Sequence, residues 1–142
     1  MPTLNLKIIT PKKIIFDGEV LSVTAPSSTG EITILPYHVN LLSLLVEGIL
    51  KIKKKEGEEE FLAIGGGYLQ TDGREVFILV SRAYGQEEIN EEEIKKAMNQ
   101  AKEILSQTKE ESQRKEAAAI LRRSIIDLKL LKKRKPKLNP SA

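Results

Sequence analysis

The chain has 142 residues, of which 40% are hydrophobic and 30% are charged, a composition typical of a folded protein with one core and an appendage. It contains no cysteine and one histidine, which excludes disulfides, thiolate zinc sites and paired-histidine clusters within one chain. No apolar run approaches the roughly 20 residues that span a bilayer, and no signal peptide is evident, so we expect a protein that stays in the cytoplasm.

The net charge of +3 is unevenly distributed along the chain. Residues 1–86 carry 9 basic and 10 acidic side chains, a net charge of −1. Residues 112–135 carry 9 basic and 2 acidic side chains, a net charge of +7. This asymmetry indicates an acidic partner for the C-terminal part.

Short apolar and β-branched segments separated by turn-forming residues fill residues 1–86. The Asp17-Gly18 pair is a strong turn signal and predicts that segments 13–16 and 19–25 are two separate strands. Residues 41–46 form a continuous apolar run, which predicts a further strand. Eight to ten such segments predict a sandwich or a flattened barrel.

The triplet Gly65-Gly66-Gly67 has two readings. A phosphate-binding loop would require a following Lys and Ser or Thr and then a helix, and the sequence supplies neither. A bulge or a close backbone approach between strands is the interpretation that we favour.

Residues 87–135 follow a helical pattern. Asn90 and Glu93 have the spacing of a capping box at the start of a helix. Two apolar stripes spaced by three and four residues then predict two helices that pack as an antiparallel hairpin. The connection contains neither Gly nor Pro, so nothing local prevents the hairpin from straightening. Residues 136–142 contain two prolines and predict a flexible tail.

Several segments in order resemble the epsilon subunit of bacterial F-type ATP synthases. Their order and spacing agree across residues 3–135, and the Gly-Glu-x-x-x-Leu-Pro-x-His segment at 30–38 is the most specific. The segments are Leu6-Lys7-Ile8-Ile9-Thr10-Pro11, Phe16-Asp17-Gly18-Glu19-Val20, Gly30-Glu31-Ile32-Thr33-Ile34-Leu35-Pro36-Tyr37-His38, Glu47-Gly48-Ile49-Leu50, Ala63-Ile64-Gly65-Gly66-Gly67-Tyr68-Leu69 and Ser81-Arg82-Ala83.

The resemblance implies an α+β protein in two parts, a ten-stranded β-sandwich (1–86) followed by an antiparallel two-helix hairpin (87–135). It implies a non-catalytic rotor subunit of the central stalk, with neither a cofactor nor a metal. The sandwich would bind the gamma subunit and the ring of c subunits and so couple them during ATP synthesis driven by a proton gradient. The hairpin would reach the alpha/beta catalytic head and inhibit ATP hydrolysis. The complex would place the chain peripherally on the cytoplasmic face of the inner (plasma) membrane.

The resemblance implies that Glu31 and His38 face the c ring and make polar contacts that help to couple rotation. A plainer alternative remains open for both residues. Glu31 would then be an ordinary surface carboxylate, and His38 would complete a hydrogen bond within its loop.

A cluster of basic residues lies near the C-terminal end of the chain. In the family such a cluster contacts an acidic segment of the catalytic beta subunits, while a solvated helix face is the plainer reading. Several exposed ion pairs together could bias a reversible conformational equilibrium. The candidate residues are Arg122, Arg123, Lys129, Lys132 and Lys133, with Arg134 and Lys135 beyond them.

Some family members bind ATP on the folded hairpin through an Ile/Leu-Asp-x-x-Arg-Ala motif at the start of the first helix. Here Asn90 replaces the Asp, Glu93 replaces the Arg and Ile94 replaces the Ala. A carboxylate at position 93 repels phosphates, so we expect weak or absent ATP binding.

Two other classes of function compete with this one. A stand-alone module whose basic helical tail binds nucleic acid is the alternative, but the chain lacks the interleaved aromatic residues of a base-stacking surface, so we expect no nucleic-acid partner. An enzyme on a β-sandwich has no supporting residues, because no nucleophile–base pair or cofactor fingerprint is present.

Overall fold

The computed structural model describes residues 2–37 and 40–133. Its contacts divide the chain into two compact units, one extending to Tyr84 and the other comprising Gly85–Lys133. The described part of the first unit contains strands, and the second contains helices. The predicted tail at 136–142 lies outside the described residues.

Nine strands form the first unit in the described part of the chain. They are β1 (Leu4–Ile9), β2 (Ile14–Ser27), β3 (Gly30–Ile34), β4 (Leu41–Leu45), β5 (Gly48–Lys54), β6 (Glu59–Ile64), β7 (Gly67–Thr71), β8 (Glu75–Val80) and β9 (Ala83–Tyr84). They are ordered β1-β8-β7-β4-β2-β5-β6-β9, with β3 on β2, and β1 runs parallel to β8. The long strand β2 pairs with β1, β3, β4 and β5 and thereby joins the two layers of the β-sandwich.

The resemblance implied ten strands, and the described residues form nine. The turn predicted at Asp17-Gly18 is wrong, because both residues lie within β2, where Asp17 pairs with Lys7 and Gly18 with Leu6. Gly18 is not among the glycines with positive φ, so its backbone remains that of a strand. The ladder with β1 overrides the local turn preference and merges the two predicted segments into one strand.

The sandwich core is built from alternate strand positions. Leu4, Leu6 and Ile8 of β1 point inward, and each is no more than 1% exposed. Ile8 lies opposite Ile78 of β8 in the parallel register, and both side chains are fully buried. These residues alternate with Thr3, Asn5 and Lys7 in the sequence, and this period of two corresponds to the buried face of β1.

Gly67 marks a close backbone approach between β7 and β8. A Cβ atom at this position would lie 1.9 Å from the carbonyl oxygen of Leu79. No side chain fits there without moving the strand, so the structural interpretation of the glycine triplet is confirmed at Gly67.

The second unit opens with a short 3₁₀ helix, Gln86–Glu88, followed by α1 (Glu91–Gln107) and α2 (Glu111–Leu131). Asn90 caps α1, because its side chain accepts a hydrogen bond from the Glu93 backbone N–H at 3.1 Å. The connection at 108–110 is short and the helices contact each other, so they form the predicted antiparallel hairpin. Neither described helix is long and apolar enough to cross a membrane.

Candidate interaction surfaces

An exposed apolar patch covers the outer face of β4, β7 and β8. Leu44 pairs with Tyr68, and Tyr68 pairs with Leu79, so these three side chains form a cross-strand row on one face. Leu44 is 65% exposed and Leu42, two residues earlier on the same face, is 70% exposed. We call Leu42, Leu44, Tyr68 and Leu79 the outer apolar face. Contiguous apolar patches of this kind mark interaction sites.

A shallow groove of about 370 Å³ adjoins Leu42 at one end of the outer apolar face. Its lining combines the apolar side chains of Phe77 and Leu42 with the carboxylates of Asp72 and Glu75. The Glu75 and Arg74 backbone N–H groups donate to Asp72 Oδ1, each at 2.9 Å, and hold the pKa of that carboxyl below its ordinary value. The groove gives the apolar face a polar rim, as interfaces usually have.

The second surface is the loop that follows β3. Glu31 is exposed on β3, which pairs with β2 alone among the described strands. Leu35 and Tyr37 follow and are 55% and 76% exposed. His38 lies outside the described residues. The resemblance points to Glu31 and His38 in this segment, and the structure adds the exposed apolar side chains of Leu35 and Tyr37 between them.

Tyr37 has a left-handed backbone. Its φ is 64°, and it is the only residue other than glycine with a positive φ in the described part of the chain. Its N–H donates to the Gly73 carbonyl oxygen at 2.8 Å, which holds the loop against the β7–β8 turn. A bulky residue in this conformation costs about 1–2 kcal/mol, and such strain is concentrated at functional positions.

We expect Tyr37→Gly to raise the free energy of unfolding by about 1 kcal/mol, because glycine adopts φ > 0 without the Cβ clash. Urea unfolding of the purified chain measures the effect. Tyr37→Ala is the matched control, because it removes the exposed ring and retains the clash. An equal increase in the free energy of unfolding in both variants would show that the exposed ring, rather than the left-handed backbone, destabilises the chain.

The third surface is the seam of the helical hairpin. Ala101 of α1 and Ala117 of α2 are each 1% exposed, and Leu130 is fully buried. Ser124 is also buried and donates its hydroxyl to the Ile120 carbonyl oxygen at 2.7 Å. Small side chains at the seam let the two helices pack closely.

The seam does not cover every apolar side chain of the helices. Ile104 of α1 and Ile120 of α2 remain 40% and 38% exposed and line an open groove of about 300 Å³ with Ala117. Ile125 is 43% exposed. The folded hairpin therefore leaves apolar area that another surface could cover.

The predicted basic cluster is exposed along α2 and just beyond its end. Arg122, Lys129 and Lys133 are spaced by seven and four residues, which places them on one side of the helix. Arg123 and Lys132 are also exposed; Lys132 is three residues from Lys129, whereas Arg123 is about 100° around the helix from Arg122. This basic side faces away from Ala117 and Ser124, and its exposure therefore does not require the hairpin to open.

The residues at the positions of the degenerate ATP motif form the beginning of α1. The Asn90 side chain caps the helix, and Glu91, Glu92 and Glu93 make its first turn acidic. Ile94 is half-buried on the helix. Within residues 2–37 and 40–133, no group of three or more His, Cys, Asp or Glu side chains could hold a metal ion.

Comparison with known proteins decides the family. The model of the "ATP synthase, Delta/Epsilon chain, beta-sandwich domain" family matches residues 3–86. An ATP synthase epsilon chain of Moorella thermoacetica is 35% identical over 129 residues, which cover 91% of this chain and 96% of that one.

This chain belongs to the ATP synthase epsilon-chain family. The epsilon chain of a Nitratiruptor species is 38% identical over 110 residues, covering 78% of this chain and 85% of that one. The family membership predicted from the sequence is confirmed, and the chain is a non-catalytic stalk subunit rather than an enzyme by itself. These matches give no support to the alternative of a nucleic-acid-binding module.

Solved structures share the fold of this epsilon-family chain. A chain of the Euglena gracilis mitochondrial ATP synthase, solved as OSCP/F1/c-ring, superposes with a TM-score of 0.71 at 24% identity, covering 92% of this chain and 78% of that one. A chain of the Tetrahymena thermophila central stalk/c-ring gives a TM-score of 0.54 at 17% identity and coverages of 90% and 96%. At these identities the likeness supports the fold alone.

Proposed function

We propose that this chain couples the gamma subunit to the c ring in an ATP synthase driven by a proton gradient, and that its hairpin inhibits ATP hydrolysis. Family membership indicates the complex to which the chain belongs. The observation that supports the coupling role is the outer apolar face. The chain would sit peripherally on the cytoplasmic face of the inner (plasma) membrane and be held there by its partners.

The outer apolar face is proposed as the gamma-binding surface. A sandwich gains nothing by exposing Leu42 and Leu44 to water, because each buried leucine side chain is worth about 1.5–3 kcal/mol. Covering these two side chains with a permanent partner subunit would gain this free energy of burial. Tyr68 suits such an interface because it combines a large apolar ring with a polar hydroxyl.

The loop after β3 is proposed as the contact with the c ring. Glu31 supplies a charge on β3, which pairs only with β2 among the described strands, and Leu35 and Tyr37 supply apolar area beside it. His38 keeps its proposed role from the sequence. The strained backbone of Tyr37 is consistent with a side chain that is retained for contact rather than for folding.

The hairpin is proposed to inhibit by opening and extending toward the alpha/beta head. The basic cluster attracts the head, but its charges are exposed while the hairpin is folded, so charge alone discriminates weakly between the two states. The seam around Ala101 and Ala117 does discriminate, because its side chains become available only when the helices separate. The basic cluster therefore speeds association with the head and adds affinity. The change in exposure of the seam is what distinguishes the open state from the folded state.

We expect calorimetry to detect no ATP binding to the isolated chain at micromolar concentrations, because phosphates would meet the three carboxylates of the first turn of α1. The comparison variant is Asn90→Asp, Glu93→Arg, Ile94→Ala, which restores the family motif at the start of α1. Micromolar affinity in the unchanged chain would contradict the expectation.

The direct test of the proposed function is co-purification. A tagged chain expressed in its own cell should bring down gamma together with the alpha/beta head and the c ring. Recovery of the tagged chain without gamma, under conditions in which the untagged complex stays intact, would refute the proposal.

A further inference from the structure

The side chain of Gln86 is buried at the base of the hairpin. Gln86 lies in the 3₁₀ helix that opens the second unit and is only 9% exposed. Its Nε2 donates to the carbonyl oxygens of Leu130 and Lys133, at 2.6 and 2.7 Å. One amide thus joins the beginning of the unit to the end of α2, across 44 and 47 residues of sequence.

One of these bonds reaches a carbonyl in the last turn of α2, and the other reaches a carbonyl two residues beyond the end of the helix. The last four carbonyls of an α-helix have no partner within the helix and must find donors elsewhere. The Leu130 carbonyl also accepts from the Lys133 backbone N–H at 3.0 Å. Gln86 adds a side-chain donor to the Leu130 carbonyl and supplies a donor to the Lys133 carbonyl, just beyond the end of α2.

We propose that Gln86 is a latch that holds the end of α2 in the folded hairpin and must be released before α2 can move away. Both of its bonds end on one turn, so they break together when that turn departs. The regulatory meaning of the latch rests on the proposed function, but the latch itself is a property of the isolated chain.

The latch is also built to release. Gln86 Oε1 is buried and has no hydrogen-bond partner among the described residues. An unmet buried acceptor carries a desolvation cost that offsets part of the gain from the two Nε2 bonds. Release exposes this oxygen to water, so opening recovers that cost and the latch remains reversible.

Hydrogen exchange of the full-length chain tests the latch. In Gln86→Leu, which keeps the volume and removes both donors, we expect the amides of the last two turns of α2 to exchange about tenfold faster. In Gln86→Glu a carboxylate faces two carbonyl oxygens, so we expect still faster exchange. Exposed Gln100→Leu on α1 is the matched control, and sandwich amides report that each variant remains folded.

Two results would overturn the latch. One is unchanged exchange at the end of α2 in Gln86→Leu. The other is equal exchange in Gln86→Leu and Gln86→Glu, because packing without hydrogen bonding would then explain the effect. A further measurement separates the latch from the proposed function: Gln86→Leu in the assembled complex should inhibit hydrolysis more strongly. Faster exchange with unchanged hydrolysis would support the latch and refute inhibition by the opened hairpin.

Discussion

The double variant Leu42→Glu, Leu44→Glu is expected to bind its complex at least a hundredfold more weakly. Both side chains are largely exposed, so the isolated chain should fold normally. In an interface the two carboxylates would have to lose their water within an apolar contact. Central interface residues commonly cost 2 kcal/mol or more when altered, and each 1.4 kcal/mol is about tenfold in affinity.

Binding of the purified variant to an ATP synthase complex depleted of its own epsilon chain measures this loss. Ile14→Glu is the matched control, because Ile14 is another exposed apolar residue, 55% exposed, outside the outer apolar face. Wild-type affinity in the double variant would refute the proposal that the outer apolar face binds gamma.

The quadruple variant Arg122→Ala, Arg123→Ala, Lys129→Ala, Lys133→Ala is expected to relieve inhibition of ATP hydrolysis. Exposed ion pairs contribute about 0.2–1 kcal/mol each, so four contribute about 1–4 kcal/mol. Reversing a two-state equilibrium from 1:99 to 99:1 takes about 5.5 kcal/mol, so the loss should weaken inhibition without abolishing it.

Steady-state hydrolysis by reconstituted complexes measures this relief. Inhibition by the unaltered chain should also weaken as salt is raised, because exposed charges are screened. Alanine at Lys95, Lys96, Lys102 and Lys109, which are exposed basic residues on α1 and the connection, is the matched control. Unchanged inhibition in the α2 variant would show that the basic cluster does not hold the open state.

Periodicity predicted the two halves of the fold because local spacing and tertiary burial agree there. The alternation of Leu4, Leu6 and Ile8 corresponds to a buried strand face, and the Asn90 cap lies where its spacing to Glu93 indicated. Asp17-Gly18 failed as a turn because the ladder with β1 is a nonlocal contact that local propensity does not contain.

The outer apolar face was missed for a related reason. The continuous apolar run at 41–46 predicts a strand, but the prediction of a strand leaves open which side of it faces water. In a sandwich, one side of each strand should be polar, so apolar residues at successive positions such as Leu44 and Leu45 are themselves a signal of a second buried face. That signal was present in the sequence.

Buried polar groups in the second unit were not predictable from spacing. Gln86 lies before the first helix, and its partners follow more than 40 residues later. Asp127 is 4% exposed although it occupies a helix rich in basic residues. Such contacts depend on where the two helices meet, which only the folded chain defines.

The central claim is that one seam serves both the folded and the inhibitory state, and a reversible lock tests it most directly. Ala101 and Ala117 are both buried, and each is separated by the same number of residues in sequence from the 108–110 connection. The chain has no cysteine of its own. In the complex, the oxidised Ala101→Cys, Ala117→Cys variant should lose inhibition of hydrolysis and keep its place in the complex, and reduction should restore inhibition. Equal inhibition by the oxidised and reduced forms would contradict the account.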